Sequence, residues 1–240
     1  MKRRLKINGI IIFLAIILLI LFPTVFFRSA KEPTWDAFAK LFGIALILLG
    51  QILRVSGRGY KSEHSQSGHS LIQAGPYALV RNPMYLGILF IGLGIVLMLF
   101  RLWVMVIFLG IFIWRYTLLI FKEEKKLLAV FPGTYLDYQQ KVPCLLPSLP
   151  AILQKDIAEY LPLKLSWLKK EIGSIIAVLL LVFFMKGWLD LKNTGIKASL
   201  LKGAGLFFAT SIVFIFLIIY LIRRTNNQKK DASSKSKNTL

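Results

Sequence analysis

Uncharged apolar runs long enough to cross a bilayer recur along this chain. Ile7 to Phe27 is one; Trp35 to Leu53 is a second, with Asp36 and Lys40 near one end. Met84 to Phe100 and Leu102 to Phe121 follow, separated only by Arg101. Ile172 to Leu189 and Gly203 to Ile222 complete the set. A spanning helix takes about 20 mostly apolar residues. The pattern therefore predicts an all-α polytopic integral membrane protein of about six transmembrane helices. The third and fourth must form a tight helical hairpin. The first run follows Met1-Lys2-Arg3-Arg4, as a signal peptide would. It is longer than a 7–15-residue leader core and lacks a small-x-small cleavage site, so it reads as a retained helix.

Composition agrees with that class. Of 240 residues, 56% are hydrophobic and 18% charged, below the roughly one quarter charged of soluble domains. One cysteine, Cys144, precludes an intrachain disulfide or a cysteine cluster. His64 and His69 sit five residues apart in a polar stretch, and no metal site is expected from them. The net charge of +20 sets orientation. With six spans, residues 1–6, 54–83, 122–170 and 223–240 share one side. They carry Lys2, Arg3, Arg4, Lys6, Arg54, Arg58, Lys61 and Arg81, eight lysines from Lys122 to Lys170, and six basic residues in the tail. Both termini are therefore expected in the cytoplasm, in a bacterial-type plasma membrane. The Ser-, Lys- and Asn-rich tail suits anionic membrane lipids. It lacks the aromatic interleaving of nucleic-acid binding, and no nucleic-acid partner is expected.

The hairpin returns its two flanking polar segments to the same face. The first reads Gly75-Pro76-Tyr77-Ala78-Leu79-Val80-Arg81-Asn82-Pro83-Met84-Tyr85-Leu86-Gly87. Pro83 suits the first turn of a helix, with Asn82 as its N-cap and Arg81 just outside. These residues can serve as an interfacial anchor and cap, or as a site. The second segment carries Glu123 and Glu124, two of only eleven acidic residues, near a helix end. Negative charge there opposes the helix dipole, which hints at a ligand, although neighbouring lysines offset it. Pro132 is expected to end or bend that helix near Phe131. Arg115 lies inside the fourth run. It either faces the bundle interior or snorkels to the interface. Gly87, Gly92 and Gly94 read as helix-packing positions, since no strand precedes them for a dinucleotide loop. No phosphate-binding loop of the P-loop kind is present.

Taken together, Gly-Pro-Tyr-x-x-Val-Arg-Asn-Pro-x-Tyr-x-Gly at 75–87, Glu123-Glu124-x-x-Leu127, Phe131-x-x-x-Tyr135-x-x-Tyr138 and Val142-Pro143-x-x-x-Pro147 form one pattern. It resembles the isoprenylcysteine carboxyl methyltransferase family of integral membrane enzymes and the related bacterial phospholipid methyltransferases. The likeness covers roughly residues 40–150, with Gly57-Arg58-Gly59 upstream. It implies S-adenosylmethionine as methyl donor, held at the cytoplasmic face without a Rossmann domain. It carries donor binding onto Tyr77, Val80, Arg81, Asn82, Pro83, Tyr85, Gly87, Glu123 and Glu124. The chemistry matches: Arg81 can take the donor carboxylate in a bidentate bond, and Glu123 or Glu124 its ammonium. Tyr77 or Tyr85 can offer an aromatic face. Arg81 and Glu124 are the expected catalytic groups. Arg115 joins them as a second cation for an oriented acceptor, an inference from depth. Asn82 stands where eukaryotic carboxyl methyltransferases have histidine, and Pro132 where Phe-Gly is common.

The implied acceptor is lipid-like or prenylated, with a carboxylate, amine or thiol all open. Two alternatives stand beside this reading. One is an NADPH-dependent membrane reductase of the sterol-reductase type, whose first motif is a cousin; Arg58 and Lys61 would supply the extra phosphate contacts. The other is a non-catalytic membrane partner protein. The expected organisation is an N-terminal helix and outer loop over 1–34 and a catalytic core over 35–150. A linker with two further helices follows over 151–222, then a disordered basic tail over 223–240.

Overall fold

The computed structural model describes residues 21–28, 33–65, 70–148 and 160–194, with the isolated positions 212, 216, 219 and 223. Among them the chain is helical: α1 (Pro23–Phe26), α2 (Pro33–His64), α3 (Pro76–Leu79), α4 (Pro83–Leu99), α5 (Leu102–Val130), α6 (Pro132–Lys141) and α7 (Leu165–Thr194). The one extended pairing among these residues is the isolated bridge between Phe27 and Phe100. Ala37–His64 and Leu102–Val130 are long and apolar enough to cross a membrane, and Pro83–Leu99 is a shorter apolar helix. The fifth predicted run falls within α7. Most of the first run and nearly all of the sixth, and the tail, lie outside the described residues.

The third and fourth runs are α4 and α5, with Phe100 and Arg101 between them. That short connection is tied down by the residues after α1. Arg28 N donates to Leu99 O at 3.1 Å and Arg101 N to Phe26 O at 2.9 Å. The rings of Phe27 and Phe100 stack at 4.7 Å. The backbone groups freed by the turn are thus satisfied within the protein, as an apolar setting demands.

α2 and α4 form the tightest crossing, and glycines make it possible. Gly43 faces Gly94, and Gly50 faces Gly87. A Cβ on Gly50 would lie 2.5 Å from Gly87 O, and one on Gly87 would lie 2.6 Å from Gly50 O. Both pairs are seven residues apart on each helix, two turns, so one antiparallel seam runs the length of the contact. Small residues let helix backbones approach where apolar burial gives little driving force.

α2 continues eleven residues beyond Leu53, where its predicted apolar span ends. Its 32 residues reach about 48 Å at 1.5 Å per residue, against a hydrocarbon core of about 30 Å. Polarity ended the apolar run but not the helix, because Arg54, Arg58 and Lys61 are good helix formers. α5 packs along one stripe, with Phe112, Ile120 and Glu124 buried, while Val106, Ile111, Trp114 and Leu118 are exposed. α7 presents Trp167, Glu171 and Ile175, spaced by four, to α2 and the main core.

Candidate functional site

Two sharp local features shape the first motif. Gly75 has φ +60°, a left-handed conformation that side chains other than glycine's disfavour. It also faces the Tyr60 ring, where a Cβ would meet a ring carbon at 2.7 Å. The single turn of α3 follows, then Val80 in extended conformation and wholly buried. This break swings Arg81 towards the end of α5 before Pro83 starts α4.

Asn82 occupies the residue before α4, but its side chain makes no cap bond. Its Nδ2 donates to Cys144 O at 3.0 Å. The helix start is served by the Asn82 carbonyl, which accepts from Tyr85 N and Leu86 N at 3.1 Å each. Arg81 N donates to Pro143 O at 2.9 Å, so the chain after α6 clamps the motif from its far side.

Arg81 and Glu124 form the centre of the arrangement. Arg81 Nη2 lies 3.3 Å from Glu124 Oε1, and the two side chains are 10% and 11% exposed. Arg81 Nε and Nη1, and Glu124 Oε1, are buried with no hydrogen-bond partner. Glu124 Oε1 has only the ion pair, and the two Arg81 nitrogens have no partner at all; such buried groups mark a place for a ligand, because each costs free energy while unpaired. Glu123 takes a different role: its Oε1 accepts from Tyr85 Oη at 2.9 Å. Tyr116 lies beside Tyr85, with ring centroids 5.2 Å apart.

These groups line a cavity of about 250 Å³. Tyr77, Arg81, Asn82, Pro83, Tyr85, Glu123 and Glu124 all reach it. Two residues implied by the resemblance do not line it: Val80 is packed in the core and Gly87 meets Gly50 across the helix seam. Arg115 is not brought there either; it is exposed on α5. Consecutive residues on a helix point about 100° apart, so the stripe that buries Phe112, Ile120 and Glu124 turns Arg115 outwards. Arg115→Gln is accordingly expected to leave ligand affinity within about twofold of wild type by calorimetric titration.

The cavity also contains residues to which the motif reading assigned no role. Lys61, Ser65, Ser70, Leu71 and Ile72 form one wall, and Leu127, Phe131, Tyr135 and Tyr138 another. Tyr135 and Tyr138 were visible as a spacing of three on one helix face. Tyr138 Oη donates to Tyr77 O at 2.6 Å, and Tyr77 Oη to Gly57 O at 3.3 Å. This chain of bonds links α6, α3 and α2.

Burial, helped by Glu123, pushes the Tyr77 phenol above its ordinary range, and burial with Tyr135 does the same to Tyr138. Tyr135 is pushed up to about 12 by burial and then by the Glu124 carboxylate. These phenols keep their protons more tightly in the folded chain than in the unfolded one, which releases them near pH 10. Stability is therefore expected to be complete below pH 10 and to fall as pH rises from 10 towards 12. Thermal unfolding across that window checks this, and Tyr135→Phe should flatten the decline; a flat wild-type profile would contradict it.

Comparison with known proteins adds to the geometry. Residues 38–133 match the model of the phospholipid methyltransferase family. The chain is 32% identical over 136 residues to protein-S-isoprenylcysteine O-methyltransferase B of Arabidopsis thaliana, covering 51% of this chain and 65% of that protein. It is 29% identical over 138 residues to the protein-S-isoprenylcysteine O-methyltransferase of Rattus norvegicus, covering 53% and 47%. The Saccharomyces cerevisiae protein of the same name is 32% identical over 111 residues, covering 42% and 46%. The chain thus spans about half to two thirds of the length of these curated relatives. No solved structure matches it.

Proposed function

We propose that this chain, whose residues 38–133 match the model of the phospholipid methyltransferase family and which is similar to the isoprenylcysteine O-methyltransferases, is a membrane methyltransferase of that family. Its donor is S-adenosylmethionine, and its acceptor is a lipid-like or isoprenoid-bearing molecule reaching the site from the bilayer. The site faces the cytoplasm, the side on which the basic residues concentrate. Arg81 and Glu124 are its catalytic groups.

The observation that carries this reading is the buried, incompletely paired Arg81–Glu124 couple at the cavity. The donor fits its polar atoms. Arg81 Nε and Nη1 each keep an N–H free for a charge-assisted bond to a carboxylate. Glu124 Oε1, with Glu123 close by, can take an α-ammonium. Tyr77 and Tyr85 offer ring faces to an adenine or a cation. When bound, S-adenosylmethionine supplies a methyl group made electrophilic by its sulfonium. The protein needs to hold and orient both partners and exclude water, so positioning carries most of the rate. Arg81 is itself positioned by Pro143 and Glu124, and Tyr85 by Glu123.

The reductase alternative loses a requirement. Arg58, one of the two extra cations it calls on, is bound to Glu171 at 2.7 Å and does not line the cavity. Calorimetric titration of the nanodisc-held chain with S-adenosylhomocysteine, beside NADPH, tests the proposal. Binding of the homocysteine product alone is the expected result. Binding of NADPH alone would overturn it in favour of the reductase, and binding of neither would leave a non-catalytic membrane protein.

A further inference from the structure

Beyond the family-matched stretch, residues 161–171 make a second set of polar contacts, all on one part of α2. Leu161 and Leu163 are buried in the main core, and Ser56 Oγ donates to Pro162 O at 2.9 Å. The Trp167 ring covers Gly59, where a Cβ would overlap it. Trp167 Nε1 donates to Glu63 Oε2 at 3.1 Å, and Lys164 pairs with the same carboxylate. The buried Glu171 accepts from Arg58 Nη1 at 2.7 Å and faces Arg54 Nη2 at 3.7 Å.

The opposite side of that same stretch of α2 builds the cavity. Lys61 lines it, and Ser65 follows at the helix end. Gly57 O receives the Tyr77 hydroxyl, and the Tyr60 ring packs over Gly75. Tyr60 also meets Trp167 edge-on, with centroids 6.4 Å apart and planes at 78°. α2 beyond Leu53 is therefore held between the 161–171 segment and the cavity.

We infer that residues 161–171 clamp the outer end of α2 and thereby set the cavity wall for the methyl donor, with Glu171 and Trp167 as positioning residues. The inference rests on the methyltransferase reading. Its physical basis is the choice of contacts. An ion pair with an exposed partner such as Arg58 adds little net stability, because water screens it and two long side chains must be ordered. It does impose a register, since carboxylate and guanidinium accept few mutual geometries. Two glycines, Gly57 and Gly59, and an exposed end would otherwise leave these turns weak.

The test compares the full chain in nanodiscs with Glu171→Gln, Trp167→Phe and the charge-swapped set Arg54→Glu and Arg58→Glu with Glu171→Arg, since both arginines face Glu171. Glu171→Gln is expected to weaken S-adenosylhomocysteine binding about tenfold while the unfolding midpoint stays near wild type. In turnover, the donor KM should rise and kcat hold, and the swapped set should recover most of the loss. Unchanged affinity in both folded single variants would overturn the inference. So would a loss that follows unfolding and is not recovered by the swap. Amide exchange across 57–65 without donor reads the clamp separately. Faster exchange in both single variants is expected, and unchanged exchange overturns the clamp even if wild type binds nothing. Absent wild-type binding sinks the methyltransferase reading instead.

Discussion

Arg81→Met is expected to weaken S-adenosylhomocysteine binding by roughly a hundredfold or more. The guanidinium is 10% exposed and uses one nitrogen on Glu124, while two others are buried without partners. Those two are the groups available to a donor carboxylate. Removing one partner of a buried charge pair costs about 2–5 kcal/mol, part of it from the charge left behind. Glu124 would be that charge. The variant should therefore lose stability as well as affinity. Arg81→Met combined with Glu124→Gln separates the two effects. Neutralising the stranded carboxylate should restore part of the unfolding midpoint and none of the binding. Arg81→Lys keeps the charge and loses the planar fork, so an intermediate affinity is expected. Calorimetric titration beside thermal unfolding makes the comparison. Wild-type affinity in a folded Arg81→Met sample would remove Arg81 from the site.

The largest effect on folding is expected from Gly50→Leu. The obstacles to a Cβ there are Gly87 O at 2.5 Å and Ile91 N at 2.9 Å, both backbone atoms. No rotamer change relieves such a clash, so α2 and α4 must separate. Overpacking of this kind costs about 3 kcal/mol or more. Separation would also release Tyr77 and Pro83 from Gly57 at the outer end of α2. Gly87→Leu should act in the same way, because its Cβ would meet Gly50 O at 2.6 Å and Arg54 N at 3.1 Å. Its effect is on the seam first and on the cavity only as a consequence. Gly110→Ala and Gly133→Ala are the controls, since nothing lies within 4 Å of a Cβ at either position. Unfolding midpoints in detergent should fall sharply for the first pair and stay near wild type for the second. Equal midpoints in all four variants would refute the glycine seam.

Much of this was legible from local pattern. Apolar runs bounded by charge marked α4 and α5, because lipid tolerates few charges along a span. Pro83 marked a helix start, because a proline has no N–H to lose at that position, and Pro132 marked the end of α5. The even number of crossings between residues 75–87 and 123–138 predicted that both segments meet on one face. Tyr77, Arg81, Tyr85, Glu123 and Glu124 do share a cavity. The residue types themselves, an arginine and two carboxylates among tyrosines, defined which ligand chemistry could be held there.

Other features depended on which helix faces met, and only the tertiary structure decided them. Adjacent Glu123 and Glu124 are equivalent by composition, yet one binds Tyr85 and the other Arg81, because they point about 100° apart on α5. The same rotation sends Arg115 outwards. Gly87 reads as a packing position as well as part of a motif, but its partner, Gly50, lies 37 positions earlier and leaves no sign of the pairing. Asn82 has the composition of a cap, but Cys144 offers its amide a partner 62 residues away. The outer turns of α2 keep their place through Trp167 and Glu171, more than a hundred residues on. Sequence period determines where a helix runs and how polar each face is. The partner of each face is set by long-range packing, which follows from shape and unpaired polar atoms across distant segments and leaves no local pattern to read.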